Sequence, residues 1–415
     1  MINDNFDLNN TGVSNALQTR DLPRHRWYFY KEGFSPSLVK KAIEENNLSP
    51  NDIILDPFNG SGTVTLTAAI EGIKSYGFEV NPFTSFLSQT KAYNVSKKEF
   101  KILADKTSLE CLKGKNSFLN TYSTFTKNKH KGSNKWLFNK DVLKSYNGGY
   151  QSIEGNKTES SALVNLALIS AIMKNGNAKK DGKCLRYKPN WESYSYNKSS
   201  FLESFENEIS TIFNDLDVEV ATKPIIENGD SRVLIDGLEN KFKLCITSPP
   251  YLNTFDYTDI YRPELFLGGF IKSSAELRNL RHQTVRSHLN MDWTKVSDSN
   301  FGMAFDTVFK KIISKKDQLM HIRIPEMIIA YFEDMKLILS SLRAKADDNA
   351  SLWFVVSTSA YANEHIPVDL ILADIATQVG WNLKEIGVLR EIQKRKTRHS
   401  PDIDKLRESV VILTT

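Results

Sequence analysis

The run Ile53-Ile54-Leu55-Asp56-Pro57-Phe58-Asn59-Gly60-Ser61-Gly62-Thr63 decides how this chain is read. An apolar stretch ends on an acid, a glycine-rich turn follows, and Val64 to Ile70 continues as the first turns of a helix. This pattern predicts a strand–turn–helix unit that holds a ligand at the end of a parallel strand. Gly60 and Gly62 permit positive φ and close approach of the backbone to that ligand. A phosphate loop would need Lys and then Ser or Thr after its last glycine, and a dinucleotide turn would need a third glycine; both are missing. Asp56, fixed at the strand end, would repel a diphosphate and suits a cationic or hydroxyl-rich ligand. On its own the turn fits a ligand cradle and a packing turn equally well.

A second acid separates these readings. Ser75-Tyr76-Gly77-Phe78-Glu79-Val80-Asn81-Pro82 is a short apolar run ending on Glu79. An acid at the end of the second strand of a βαβ unit takes the two hydroxyls of a ribose. One carboxylate for an amine or sulfonium, glycines for close approach and another carboxylate for a ribose together describe S-adenosylmethionine.

Farther along, Phe242 to Ile246 reads as a strand that runs into Thr247-Ser248-Pro249-Pro250-Tyr251. Adjacent prolines hold the backbone extended and remove two N–H donors. The Ser248 hydroxyl and the Pro249 carbonyl are then two acceptors for the two hydrogens of one exocyclic amine. Tyr251 offers a flat face on which a base can stack. Alone, the tetrapeptide also fits a proline turn with a tyrosine packed at its side.

The combination of motifs resembles the DNA amino-methyltransferases, which act on cytosine N4 or adenine N6. Asp-Pro-Phe-x-Gly-Ser-Gly-Thr over 56–63 and Gly-Phe-Glu-x-Asn-Pro over 77–82 are similar to their cofactor motifs, and Ser248-Pro249-Pro250-Tyr251 to their catalytic motif. The resemblance covers 1–93 and 221–415. It implies a Rossmann-like α/β fold with a mostly parallel seven-stranded sheet, helices on both faces and an inserted, mainly helical recognition region. It implies cofactor contacts from Asp56, Pro57, Phe58, Gly60, Gly62, Thr63, Glu79 and Asn81. Ser35-Pro36 begins a helix, with Ser35 as its cap. In this family such a segment covers one side of the cofactor, which makes Pro36 a candidate; a helix that only packs on the sheet is the alternative. Asp230, after the strand Ile225–Asn228, is a candidate near the adenine amino group or the cap of the next turn. Members with Ser before the prolines act on cytosine N4, whereas adenine enzymes carry Asp or Asn. A target cytosine would be flipped into the site, with methyl transfer direct and no metal required. An adenine-N6 or RNA enzyme is the rival within the class, and a DNA-binding module with a degenerate methyltransferase fold is the rival outside it. Intact motif positions argue against degeneracy.

The organisation that follows is an arm and cofactor-binding half over 1–94, an inserted region over 95–220 and a catalytic half over 221–415. A second DNA-contacting insertion is a candidate at 262–324, which carries Arg278, Arg281, His282, Arg286 and His288. Residues 1–20 read as a loose arm. The block over 95–220 mixes Lys127-Asn128-Lys129-His130-Lys131 with a loop over Gly176–Arg186 bearing Lys179, Lys180, Lys183 and Arg186, and then Trp191, Tyr194 and Tyr196. Basic groups interleaved with aromatics suit nucleic acid. Lys183 and Arg186 are candidate DNA contacts, as are Lys394, Arg395, Lys396 and Arg398 in the loop between the last two strands.

The chain has 415 residues, 40% hydrophobic and 25% charged, with a net charge of +5. That composition fits a globular protein and is compatible with double-stranded DNA as partner. No run approaches the roughly 20 apolar residues of a membrane span. The polar amino terminus lacks a signal-peptide core. The three cysteines have no metal-ligand spacing, which suits reduced thiols in a bacterial or archaeal cytoplasm. A restriction endonuclease acting on the same site would be the natural second partner.

Overall fold

The computed structural model of the chain describes residues 2–6, 15–116, 135–181, 184–291, 296, 300–392, 403 and 405–415. Its strands are β1 (Ile2–Asn3), β2 (Ile53–Asp56), β3 (Lys74–Glu79), β4 (Ala178–Asp181), β5 (Cys184–Tyr187), β6 (Ile225–Asn228), β7 (Phe242–Thr247), β8 (Ala346–Ser357), β9 (Ser359–Tyr361), β10 (Glu364–Ile366), β11 (Asn382–Ile392) and β12 (Leu406–Thr414). Eight form one sheet in the order β1-β11-β12-β8-β7-β2-β3-β6. The five strands from β8 to β6 are mutually parallel. β12 runs antiparallel between β8 and β11, so the last two long strands form the expected hairpin. Seven strands follow the sequence reading. The eighth, β1, comes from the stretch read as a loose arm, through Ile2↔Ile386 and Asn3↔Gly387. Two residues are too few to carry a periodic signal.

Alternation along the strands sorts their side chains onto two faces. Ile54, Leu244, Ile246, Trp353 and Val355 point to one face, against Leu38, Val39 and Ala42 of helix α1 (Pro36–Glu45) and Val64 and Ala68 of α2 (Thr63–Ile70). Leu55, Cys245, Leu352 and Phe354 point to the other and build the largest core of the molecule. Strands apolar on both sides are what a parallel sheet covered on both faces requires.

Helix ends follow from local chemistry. Ser35 caps α1 by accepting from the Ser37 amide at 3.1 Å, with Pro36 in the first turn. Asn81 does the same for α3 (Pro82–Lys91), accepting from Phe83 at 3.0 Å. The chain then leaves the sheet and builds α4 (Lys97–Lys113), α5 (Lys140–Ile153), α6 (Glu159–Lys174) and α7 (Lys198–Asp215) before returning at β6. α6 is apolar almost all round and correspondingly buried. The inserted region is mainly helical as expected, but it is not a separate body. Its core includes Phe83 and Leu87 of α3 and Trp27 and Tyr28 of the amino-terminal segment. The stretch Gly176–Arg186, read as a loop, is largely the antiparallel hairpin β4–β5.

The catalytic half continues with α8 (Ser231–Leu234), α9 (Tyr257–Ile260), α10 (Arg262–Leu267), α11 (Ser274–His282), α12 (Met303–Ser314), α13 (Ile324–Lys345) and α14 (Val368–Gln378). The segment 262–324 divides between two cores. Leu265, Phe266, Leu277 and Leu280 join the core of the inserted helices, while Phe305, Val308 and Ile312 join that of the main sheet.

Asp215, at the end of α7, fastens the amino-terminal segment to the insertion. It accepts from the Arg24 amide at 2.9 Å, from Arg26 Nε at 3.0 Å and from Trp27 Nε1 at 3.0 Å. Removing a buried carboxylate that satisfies several donors leaves those donors unpaired. Asp215→Ala should therefore destabilise the fold by on the order of 3 kcal/mol. Urea unfolding measures it, and a midpoint equal to that of the unaltered chain would contradict this role.

Candidate active site

The chain runs outward from β2 through β3 to β6, then returns to β7 on the other flank of β2. In an open parallel sheet such a reversal opens a crevice at the carboxyl ends of the strands. The turn after β2 and the Ser-Pro-Pro-Tyr loop after β7 therefore emerge side by side. Thr247 Oγ1 donates to Asp56 Oδ1 at 2.6 Å and joins the two strand ends. The same oxygen accepts from the Phe58 amide at 3.0 Å. Burial raises the Asp56 pKa to about 7, against the pull of these two donors.

Glu79, at the end of β3, closes the glycine turn. Its Oε2 accepts from the Gly60 amide at 2.7 Å and its Oε1 from Asn81 at 2.8 Å. Burial raises its pKa, opposed by those amides. A carboxylate has about four acceptor positions, so capacity remains for hydroxyl donors. Gly60 and Gly62 adopt φ of 50° and 81°. A Cβ on Gly62 would lie 2.7 Å from that of Ser88, and one on Gly60 would lie 3.3 Å from the Tyr30 ring. Both the turn and the close approach need glycine here.

A cleft enclosing about 1020 Å3, its open mouth included, lies over these strand ends. Of the sequence candidates, Asp56, Pro57, Phe58, Gly60, Thr63, Glu79, Asn81, Asp230, Ser248 and Pro250 line it. Gly62, Pro36, Pro249 and Tyr251 do not. Gly62 shapes the turn from behind, and Pro36 starts α1 while its neighbours Tyr30, Glu32, Gly33 and Phe34 form the wall. Asp230 caps α8 through the Arg232 amide at 2.9 Å and pairs with the Arg232 guanidinium at 2.7 Å. Tyr251 departs from the stacking platform read from sequence: its hydroxyl donates to Glu408 at 2.6 Å, which turns it toward β12. Tyr257 lines the cleft instead.

Sequence reasoning missed a further wall. Gln283, Thr284, Ser287 and His288 line the cleft, and of these only His288 stood in the sequence reading, as part of a candidate DNA-contacting segment. Arg286 anchors their loop to α13, its amide and guanidinium both bonded to Asp334. Arg281 is likewise held by Asp256 at 2.9 Å. These two arginines brace the 262–324 segment internally. Lys180 is held internally as well. It pairs with the fully buried Glu264 at 2.6 Å and lies 3.4 Å from the centre of the Tyr261 ring. Arg186 is on the surface beside Asp181 at 2.8 Å. Lys183, Lys394, Arg395, Lys396 and Arg398 lie outside the described residues, as does the 127–131 run.

Comparison with known proteins gives a consistent picture. A family model described as DNA methylase matches residues 3–90. The type II methyltransferase M.BsoBI of Geobacillus stearothermophilus is 28% identical, over 94% of this chain and 85% of its own. The type II methyltransferase M.AvaI of a Nostoc species is 25% identical, over 89% of this chain and 81% of its own. Among solved structures, a SAM-dependent methyltransferase from Methanosarcina mazei aligns over 90% of this chain and 96% of its own, at 10% identity and a TM-score of 0.31. That score adds nothing to the strand order described above.

The raised pKa of Asp56 has a consequence for stability. The folded state holds this proton more tightly than the unfolded chain, whose carboxyl titrates near 3.8. Its contribution is therefore full below about pH 4 and lost as pH rises through about 7. Relative to Asp56→Asn, the unaltered protein should lose on the order of 4 kcal/mol across that window. Parallel urea titrations at several pH values test this, and identical pH slopes in the two proteins would refute it.

Proposed function

We propose, from its similarity to the DNA methylase family model and to type II methyltransferases, that this chain is a DNA amino-methyltransferase that methylates the exocyclic N4 amine of a cytosine in duplex DNA, as the modification enzyme of a type II restriction-modification system. S-adenosylmethionine is the cofactor and, when bound, supplies an electrophilic methyl group on a sulfonium. One observation carries the reading: the Thr247–Asp56 bond sets the glycine turn beside Ser248, and both open into a single cleft.

The residues present fit that cofactor. Glu79 keeps acceptor capacity for ribose hydroxyls beside the Gly60 amide. Asp56 is a strand-end carboxylate suited to the cationic end of the ligand. Phe34, Phe58 and Phe78 give the cleft apolar walls, with Asp230 near its edge for an amino group. Pro57, Thr63 and Asn81 complete the lining, while Gly62 and Pro36 act through the backbone of the turn and of α1.

Ser248 and the main-chain carbonyl of Pro249 are assigned the two hydrogens of the target amine. Held so, the amine lone pair faces the methyl group. Pro250 and Tyr257 flank the base, which reaches the cleft by flipping from the duplex. Nothing in this scheme needs a covalent enzyme intermediate. Positioning two bound reactants supplies most of the acceleration, a term worth several kcal/mol in general. The preference for cytosine rests on Ser248, a neutral hydroxyl of short reach where adenine enzymes carry Asp or Asn. The description of both relatives as type II methyltransferases supports the restriction-modification setting and a cognate endonuclease.

DNA is gripped in this reading by the inserted region, through Lys183 and Arg186, and by Lys394, Arg395, Lys396 and Arg398. The last four belong to the stretch of sequence between β11 and β12. Neutralising them together should weaken binding and flatten its dependence on salt. A slope and affinity equal to those of the unaltered protein would remove this loop from the interface.

Nucleoside mass spectrometry of DNA incubated with the protein and cofactor should detect N4-methylcytosine. N6-methyladenine in its place would show that Ser248 does not set the base. Ser248→Ala should lower the methylation rate roughly tenfold or more while leaving cofactor affinity unchanged. Glu79→Ala should do the opposite, weakening cofactor binding in calorimetry while the fold persists.

A further inference from the structure

Behind Ser248 lies a chain of hydrogen bonds that leads away from the cleft into the sheet. The Ser248 hydroxyl donates to the Tyr251 hydroxyl at 3.3 Å. The Tyr251 hydroxyl donates to Glu408 Oε1 at 2.6 Å. Glu408 Oε2 accepts from Arg390 Nε at 2.7 Å. Glu408 is 3% exposed and stands directly across the β11–β12 ladder from Arg390. Nothing in the methylation scheme accounts for a buried carboxylate at this point, since β12 carries none of the motif residues.

The chain has a direction, and its far end sets it. An ionised carboxylate only accepts hydrogen bonds, whereas a hydroxyl both donates and accepts. Arg390 keeps Glu408 paired, so Tyr251 must spend its proton on Glu408. Its oxygen is then free to accept, and the Ser248 proton turns toward it. What remains on Ser248 is a lone pair directed at the cleft. Without this chain, the Ser248 hydroxyl could rotate and offer its proton to the base, and so lose its grip on the amine. A serine whose hydrogen is taken elsewhere presents only lone pairs to the amine.

We propose that Glu408, held by Arg390, acts through Tyr251 to fix Ser248 as a hydrogen-bond acceptor toward the target amine. Glu408 and Tyr251 are then positioning residues, and the Ser-Pro-Pro-Tyr loop is completed by a strand distant in sequence. The inference rests on the methyltransferase reading above. The Ser248–Tyr251 separation is long for two hydroxyls. Such contacts commonly tighten once the substrate closes the site.

The test uses the full-length protein, duplex DNA and cofactor labelled on the transferable methyl, in single-turnover measurements. Tyr251→Phe keeps the ring and removes only the hydroxyl. It should slow transfer about tenfold in the native background and have no effect in a Ser248→Ala background. Glu408→Gln can turn its amide N–H toward Tyr251 and reverse the chain. It should slow transfer by a similar factor, with cofactor KM unchanged, and add nothing to Tyr251→Phe. Should Glu408→Gln fail to fold, the Tyr251→Phe comparison decides alone. A loss that persists in the Ser248→Ala background, or multiplies in the double variant, would mean that Tyr251 and Glu408 act independently, and would overturn the proposal. Absence of any labelled DNA with the unaltered protein would instead defeat the methyltransferase reading itself.

Discussion

The bond from Thr247 to Asp56 is the constraint on which the site depends. It crosses between two parallel strands at the point where the sheet reverses its winding, and it is short and buried. Because β2 and β7 are locked together there, the turn that follows one and the proline loop that follows the other cannot drift apart. The Gly60–Glu79 bond does the same across β2 and β3. Two carboxylates, Asp56 buried and Glu79 partly buried, thus organise three strand ends. Burial lifts both pKa values, so the site is built from acids whose charge the fold disfavours. A cationic or hydroxyl-bearing ligand relieves that burden, which links ligand binding to the ionisation of Asp56.

Much of this was legible in the sequence, because the relevant signals are local. The sheet shows in apolar runs that end on Asp56, Glu79 and Thr247. The caps Ser35 and Asn81 sit where their short side chains and the following prolines dictate. What was not legible depends on partners far away in the chain. Lys180 and Arg286 read as surface charges, since nothing near them in sequence announces Glu264 or Asp334. Charge is not exposure. A basic residue is a DNA contact only if no internal acid claims it, and that is a tertiary fact. The wall formed by Gln283, Thr284, Ser287 and His288 was hidden for the same reason, because it has no periodicity and is placed by the Arg286 anchor on α13.

The inserted helices show how a boundary in sequence need not be one in packing. Residues 95–220 interrupt the α/β pattern cleanly, yet their core takes in Trp27, Tyr28, Phe83 and Leu87 from the cofactor half. The segment from Arg24 to Pro36 accounts for this. Arg24, Arg26 and Trp27 are fastened to Asp215 at the end of α7. Tyr30, Glu32, Gly33 and Phe34 line the cleft, and Pro36 begins the helix that packs on the sheet. One short stretch of chain thus touches the insertion, the cleft and the sheet in succession. Its aromatic content follows from that path: Trp27 and Tyr28 fill the insertion core, Tyr30 stacks on Tyr261 at 5.1 Å, and Phe34 closes the sheet core. A segment committed to three surroundings cannot be assigned to any one of them, which is why Pro36, read as a cofactor contact, serves instead to start α1 behind the wall that its neighbours make.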